Sequence, residues 1–367
     1  MNKEKDSEEL VVDEAMLNDW ATNPKGPVAL VLKEKLMPVE GERGIIFPPT
    51  YADIGYNIDE LSDGKKIATI DSVGSQANRM EPLFKEESLK DLVPQIDIKI
   101  NEEKIISIFD IGHRLGDALI RCSDFSAEAK EAFENWREGD AFKLAKLAPT
   151  SIVFGAWDSR DTAAKLPRIV QSVIRAWDVT ELKRSATYVP PVDYSKLDIF
   201  SEEDKAKAEG DTKNPLAKRG FVHVPAGKVP GGVIANGPIY RDVTVNLVAL
   251  RQIKSKEKRD ELRKYILGLS LTVAIQPLDG FLRQGCLLTL DPTVKESWIV
   301  VNRDGTRQSV TIKEQTVLDY AKKSSNNFGV GKSKKAEFDK KKAKEDSQKD
   351  KKKKKGKDKE NEEKKDQ

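Results

Sequence analysis

Ser72, Ser75, Gln76 and Arg79 stand at i, i+3, i+4 and i+7 in "DSVGSQANRMEPLF", with Asn78 beside them. Arg168, Gln171, Ser172 and Arg175 repeat that spacing in "KLPRIVQSVIRAW", just after Lys165. Arginine offers a planar fork of donors that fits phosphate oxygens. Serine and the side-chain amides add neutral donors and acceptors suited to phosphate and sugar hydroxyls. Read as helices, each segment also carries an apolar stripe: Val73, Ala77, Met80 and Phe84 in the first, Leu166, Ile169, Val170, Val173, Ile174 and Trp177 in the second. Asp71 or Ser72 can cap the first helix, and Pro167 suits the first turn of the second. The alternative for either segment alone is a solvated helix face.

A third group lies in "PVEGERGIIFPPTYADIG" (38–55), a Gly-, Pro- and aromatic-rich loop. Arg43, Phe47, Thr50 and Tyr51 there fit a groove for single-stranded nucleic acid, with aromatics stacking on bases, or simply an aromatic-pinned loop. His113 and Arg114 open the helical "GHRLGDALIRCS", where a structural role competes with a binding one.

Those segments need a scaffold. Strands are expected at 27–36, 66–70, 95–100, 150–157 and 241–253. A hairpin is expected over 297–312, turning at Asp304-Gly305. Helices are expected from Ser72 to Phe84 and over 126–147, 165–179, 256–274 and 313–322. The mixture indicates an α+β body. Residues 189–238, rich in Pro, Gly and charge, form an expected insertion, too long for an ordinary connection. From about Ser324 the chain is Lys-rich and apolar-poor, so a body of 1–323 and a disordered tail of 324–367 are expected.

Composition narrows the chemistry. Residues 321–367 hold 19 Lys against 10 Asp and Glu, a net of +9, while the other 320 residues carry a net of −6. A polyanion site on the body is therefore a local patch. Two cysteines, Cys122 and Cys286, give neither zinc spacing nor a disulfide framework, and two histidines do not make a histidine-rich metal site. No P-loop, dinucleotide fingerprint or nucleophile elbow occurs, and no metal-binding carboxylate motif. The charged N-terminus and short apolar runs lead us to expect a cytoplasmic protein with no membrane contact.

The blocks "PVEGERGIIFPPTYADIG", "DSVGSQANRMEPLF", "GHRLGDAL", "VFGAWDSRDTAAKLPRIVQSVIRAWDV" and "GFLRQGCLL" resemble, in order, those of the Cas seven backbone (RAMP) subunits of type I-G (formerly I-U) CRISPR effector complexes. The resemblance spans roughly residues 27–320. It implies an RNA recognition motif-like, ferredoxin-like palm with inserted thumb or finger elements. It implies a non-catalytic subunit, without cofactor, that polymerises along the spacer of a CRISPR RNA and presents it to target DNA in antiviral defence. The implied partners are neighbouring copies of the chain, a large subunit and a Cas five/Cas six-like subunit. By this resemblance Lys165, Arg168, Gln171, Ser172 and Arg175 contact the guide backbone. Ser72, Ser75, Gln76, Asn78 and Arg79 follow, then Arg43, Phe47, Thr50 and Tyr51, with His113 and Arg114 last. Two other functions stay open: a backbone subunit that cleaves target RNA with a loop aspartate and a metal, and a general single-stranded RNA-binding protein.

Overall fold

The computed structural model describes residues 10–277, 279–294 and 297–348, apart from the side chains of 225–228. The chain opens with α1 (Glu14–Thr22) and β1 (Ala29–Pro38). Next come β2 (Lys66–Asp71), α2 (Val73–Met80), β3 (Ile96–Lys99), α3 (Ser126–Arg137), α4 (Pro149–Val153) and β4 (Val170–Trp177). A long pair, β5 (Val179–Tyr188) and β6 (Val224–Ala235), precedes β7 (Ile239–Asn246). The rest comprises α5 (Arg259–Ile275), β8 (Cys286–Leu290), β9 (Trp298–Val301), β10 (Arg307–Thr311), α6 (Glu314–Phe328) and β11 (Lys334–Glu337).

This is an α+β fold. Four strands, β1, β4, β7 and β9 in chain order, lie side by side as β9-β1-β7-β4, every pair antiparallel. That is the spatial order 4-1-3-2. β2 extends the sheet beyond β4, and β10 extends it beyond β9.

The sequence dictates the sheet's two faces. In β1, Leu30, Leu32, Glu34 and Leu36 are buried while Val31, Lys33, Lys35 and Met37 are not, the alternation of a strand with one face covered. β7 alternates in the same way along its whole length. The covered face packs on α5, α1 and α4 at one end through Leu30, Leu32, Val170, Val243 and Val245. At the other end Leu36, Ile174, Ala176 and Ile239 pack with Ile46, Tyr56, Leu282 and Cys286.

Two expected elements exchange identity. Residues 165–179 do not form a helix: Val170–Trp177 is β4, at the centre of the sheet. The expected strand 150–157 begins instead with α4, whose five residues are all buried and whose Pro149 occupies the first turn. The expected strand 241–253 turns helical at Leu247, where the Asn246 side chain accepts from Ala249 N at 2.9 Å.

Residues 179–235 make a two-stranded antiparallel arm, with a small cluster of Ala208, Ala217 and Val222 at its tip. The tail is ordered well past Ser324, contrary to expectation. α6 runs on to Phe328, which stacks on Tyr265 at 5.2 Å, and β11 pairs in parallel with β3. The expected disorder of 349–367 lies outside the described residues. Among the described residues no helix is long and apolar enough to cross a membrane.

Candidate nucleic-acid interface

A buried polar chain holds the sheet to α2. Glu34 and Arg241 sit opposite each other on β1 and β7, and Arg241 Nη1 donates to Glu34 Oε2 at 2.7 Å. Arg241 Nε donates to Ser172 Oγ at 3.2 Å, and that hydroxyl donates to Gln76 Oε1 at 2.7 Å. Gln76 Nε2 donates to Asp71 Oδ2 at 2.7 Å. Asp71 also accepts from Arg79 Nε at 3.0 Å and from Arg283 Nη2 at 3.1 Å. From Arg241 through Ser172 and Gln76 each donor meets the next acceptor as far as Asp71. Arg241 also donates the other way to Glu34, and both Arg79 and Arg283 donate back to Asp71, so the buried carboxylates are met by donors as burial at this depth demands. Arg79 and Arg283 finish it at the surface, Arg79 Nη2 also donating to the Leu282 carbonyl and Arg283 Nη1 to the Phe47 carbonyl.

This geometry corrects two expected contact residues. Gln76 and Ser172 are fully buried and spend their polar atoms inside the protein. Ser172 points away from Gln171 and Arg175 because neighbours on a strand face opposite sides. Arg114 is a third correction. It is buried, sits in the left-handed region at φ 53°, and pairs through Nε with Glu81 Oε2 at 2.6 Å. Burial pushes the Glu81 carboxyl up to about 7, and the Arg114 guanidinium beside it offsets only part of that rise.

What remains of the two expected ridges forms two separate surfaces. The first surrounds the start of α2. Ser72 caps the helix, accepting from Ser75 N at 3.2 Å. Asn78 is exposed and borders Gly112, next to the exposed His113. Arg168 reaches the same place and donates to Val73 O at 3.2 Å. Burial, and then the nearby Arg114, hold Arg168 below the usual guanidinium range, so its charge is poorly compensated and an arriving anion would be favoured there. Beside it, the exposed Trp157 carries Lys165 5.8 Å above its ring.

The second surface is the uncovered face of the sheet. Gln171, Val173, Arg175 and Trp177 of β4 point that way. Arg175 lies opposite Tyr240 on β7, Tyr240 lies opposite Lys35 on β1, and Thr69 of β2 completes the row. One step along, Lys33 sits 4.1 Å over the Tyr240 ring. At the end of this row a cavity of about 760 Å3 opens between Lys35, Met37, Arg43 and Tyr240. An aromatic ring flanked by cations on a solvated sheet can stack a base and hold its phosphates. Sequence reasoning missed Lys33, Lys35, Trp157, Trp177 and Tyr240. The alternation of "ALVLKEKLM" and "IYRDVTVN", which sets the two lysines and Tyr240 between the core-facing residues of their strands, was the signal for three of them.

The loop group divides. Arg43 is exposed and joins the cavity just described. Phe47 lies under Arg184 of the arm, 4.7 Å from ring centre to guanidinium, and its carbonyl accepts from Arg283. The exposed Thr50 and Tyr51 form a short ladder with Gly55 and the buried Tyr56. Both cysteines are buried thiols. Among the described residues no cluster of three or more His, Cys, Asp or Glu could hold a metal.

No curated protein matches the chain. Residues 30–181, which contain β1, β2, α2 and β4, match the family described as CRISPR-associated protein GSU0053, and over that segment the chain is similar to a CRISPR-associated protein family.

Proposed function

We propose that this protein is a non-catalytic, guide-RNA-binding backbone subunit of a CRISPR effector complex of the type I-G kind. The observation that carries the reading is the solvated row Thr69–Arg175–Tyr240–Lys35, three of whose four residues fall in the segment similar to a CRISPR-associated family. The 4-1-3-2 antiparallel sheet with one face left open supports an RNA recognition motif-like palm. The arm of residues 179–235 has the form of a thumb that reaches a neighbouring copy. A subunit of this kind grips phosphates and leaves sequence reading to base pairing with target DNA. Copies that stack head to tail along the guide use heterologous contacts and grow as an open helix. The large subunit and a Cas five/Cas six-like subunit complete the assembly.

Sequencing the RNA that copurifies with the chain expressed with its neighbouring genes tests this. Repeat–spacer guides are expected; a mixture of cellular RNA would replace the reading with general single-strand binding. The same complex, given Mg2+ and RNA complementary to the guide, is expected to leave that RNA intact. Cuts at regular spacing would establish the target-cleaving alternative.

A further inference from the structure

Two guanidiniums and one carboxylate meet beneath the first surface. Glu81, the residue that follows α2, is buried against Arg114 of the loop 111–117, and the Thr150 hydroxyl of α4 also acts on it. Arg114 Nη1 donates to Gly155 O at 3.2 Å. A Cβ on Gly155 would stand 2.8 Å from Arg168 Cγ. This glycine, at φ 77°, therefore lets the two arginines close on one residue. Their charges act on each other, as the lowered proton affinity of Arg168 records.

One carboxylate thus serves two cations. Among the described residues, Glu81 Oε1 and Arg114 Nη2 are buried without a hydrogen-bond partner, so the protein meets neither charge in full. The other ionised groups of the adjoining segments are turned elsewhere: Arg79 to Asp71, Lys85 to Asp110, His113 to Asp117 and Asp158 to Thr162. Desolvation lifts the Glu81 carboxyl to about 7 against the pull of Arg114 and Thr150. Near neutral pH the cluster therefore carries its one negative charge about half the time.

We propose that Glu81 is the internal counter-ion of this arginine pair, and that it takes up a proton when a phosphate of bound RNA arrives at Arg168. The proposal rests on the RNA-binding reading above and makes binding at the first surface sensitive to pH. A phosphate beside Arg168 brings negative charge toward a buried carboxylate and raises its proton affinity further. Glu81 titrates at about 7 in the free protein and higher in the complex. Between those two values binding takes up a proton, so affinity rises as pH falls through the window and levels off on either side.

The full chain is titrated with a guide-length single-stranded RNA that lacks a terminal phosphate, at constant salt from pH 6 to pH 9. Affinity is expected to be about fivefold tighter at pH 6 than at pH 9, with about a third of a proton taken up at pH 7.5 by calorimetry in two buffers. Glu81→Gln stands in for the protonated side chain. It is expected to bind at pH 9 as tightly as the unaltered protein does at pH 6, with no slope. Arg168→Gln is expected to weaken binding and remove the slope, whereas Arg175→Gln weakens binding and keeps it. Histidine gains charge over a neighbouring pH range, and His113 is exposed on the same surface, so His113→Gln is the control. A slope that survives His113→Gln and vanishes in Glu81→Gln supports the proposal; the reverse pattern overturns it. Should Glu81→Gln fail to fold, proton uptake by the His113→Gln protein decides: a third of a proton supports the proposal and none overturns it. RNA binding with a flat pH profile would end the proposal and leave the proposed function standing. A chain that binds no RNA would end both.

Discussion

Asp71 holds more partners than any other residue described above: Gln76, Arg79 and Arg283 all donate to one fully buried carboxylate. Asp71→Asn leaves two guanidiniums without their counter-charge, so we expect a loss of about 2–4 kcal/mol in a denaturant titration, reduced by the part of each arginine that water reaches. Arg175 contrasts with it. Arg175→Gln is expected to change stability by no more than about 0.5 kcal/mol yet to weaken RNA binding. Glu81 supplies a pH dependence. Its folded carboxyl sits at about 7, above the usual range for glutamate, because burial disfavours the charge. Between the unfolded value and about 7 the folded state holds the extra proton, so this residue makes stability fall as pH rises through that window. Glu81→Gln is expected to flatten the slope; an unchanged slope would show that the Arg114 pairing fully compensates the buried charge.

At the scale of elements, the strand β4 explains what the sequence could and could not tell. "RIVQSVIRAW" carries apolar residues at helical spacing only because both faces of a central strand hold some of them: Val170, Ile174 and Ala176 on the covered face, Val173 on the other side. Over so short a window, apolar periods of a helix and of a doubly lined strand coincide, and the β-branched Ile169, Val170, Val173 and Ile174 were the better guide. α4 failed the other way, since a short helix buried all round shows no amphipathic period. The legible elements with one solvated side or a marked turn were β1, α2 and the hairpin β9–β10 around Gly305 at φ 85°, while α5, buried all round from Tyr265 to Ala274, was legible by its length. At the site, the types of side chain were legible but their shared ridge was not, because it depended on β4 being helical. Arg168 and Arg175, seven residues apart on extended chain, stand about 20 Å from each other and on different surfaces. Their alanine substitutions are therefore expected to weaken guide binding additively in free energy and each to reduce its salt dependence. An effect confined to one of them would show which surface the guide follows.

For the whole molecule, charge and layering act together. Residues 1–348 carry a net of only −1, so binding depends on local cations and not on a global field. Of those around the Tyr240 ring, Lys35 also pairs with Asp291 at 2.9 Å and Lys33 with Asp242 at 4.0 Å. Helices cover one side of the sheet and leave the other to solvent, and the arm projects from the end of β4 that carries Trp177. The tip of the arm has its own small apolar cluster, apart from the two that hold the body. Replacing residues 190–222 by a short turn is thus expected to leave the melting temperature of the body within a few degrees. The same replacement should shorten the complexes that form on a guide, as sizing of the assembled particle would show.

Photocrosslinking of the copurified RNA, with the adducts mapped by mass spectrometry, probes the central claim most directly. Adducts at Tyr240 and Trp177 on the open sheet, and at Trp157 beside α2, are the expected result. Adducts confined to the arm tip or to the helix-covered side, with Tyr240 and Trp157 unmodified, would contradict it.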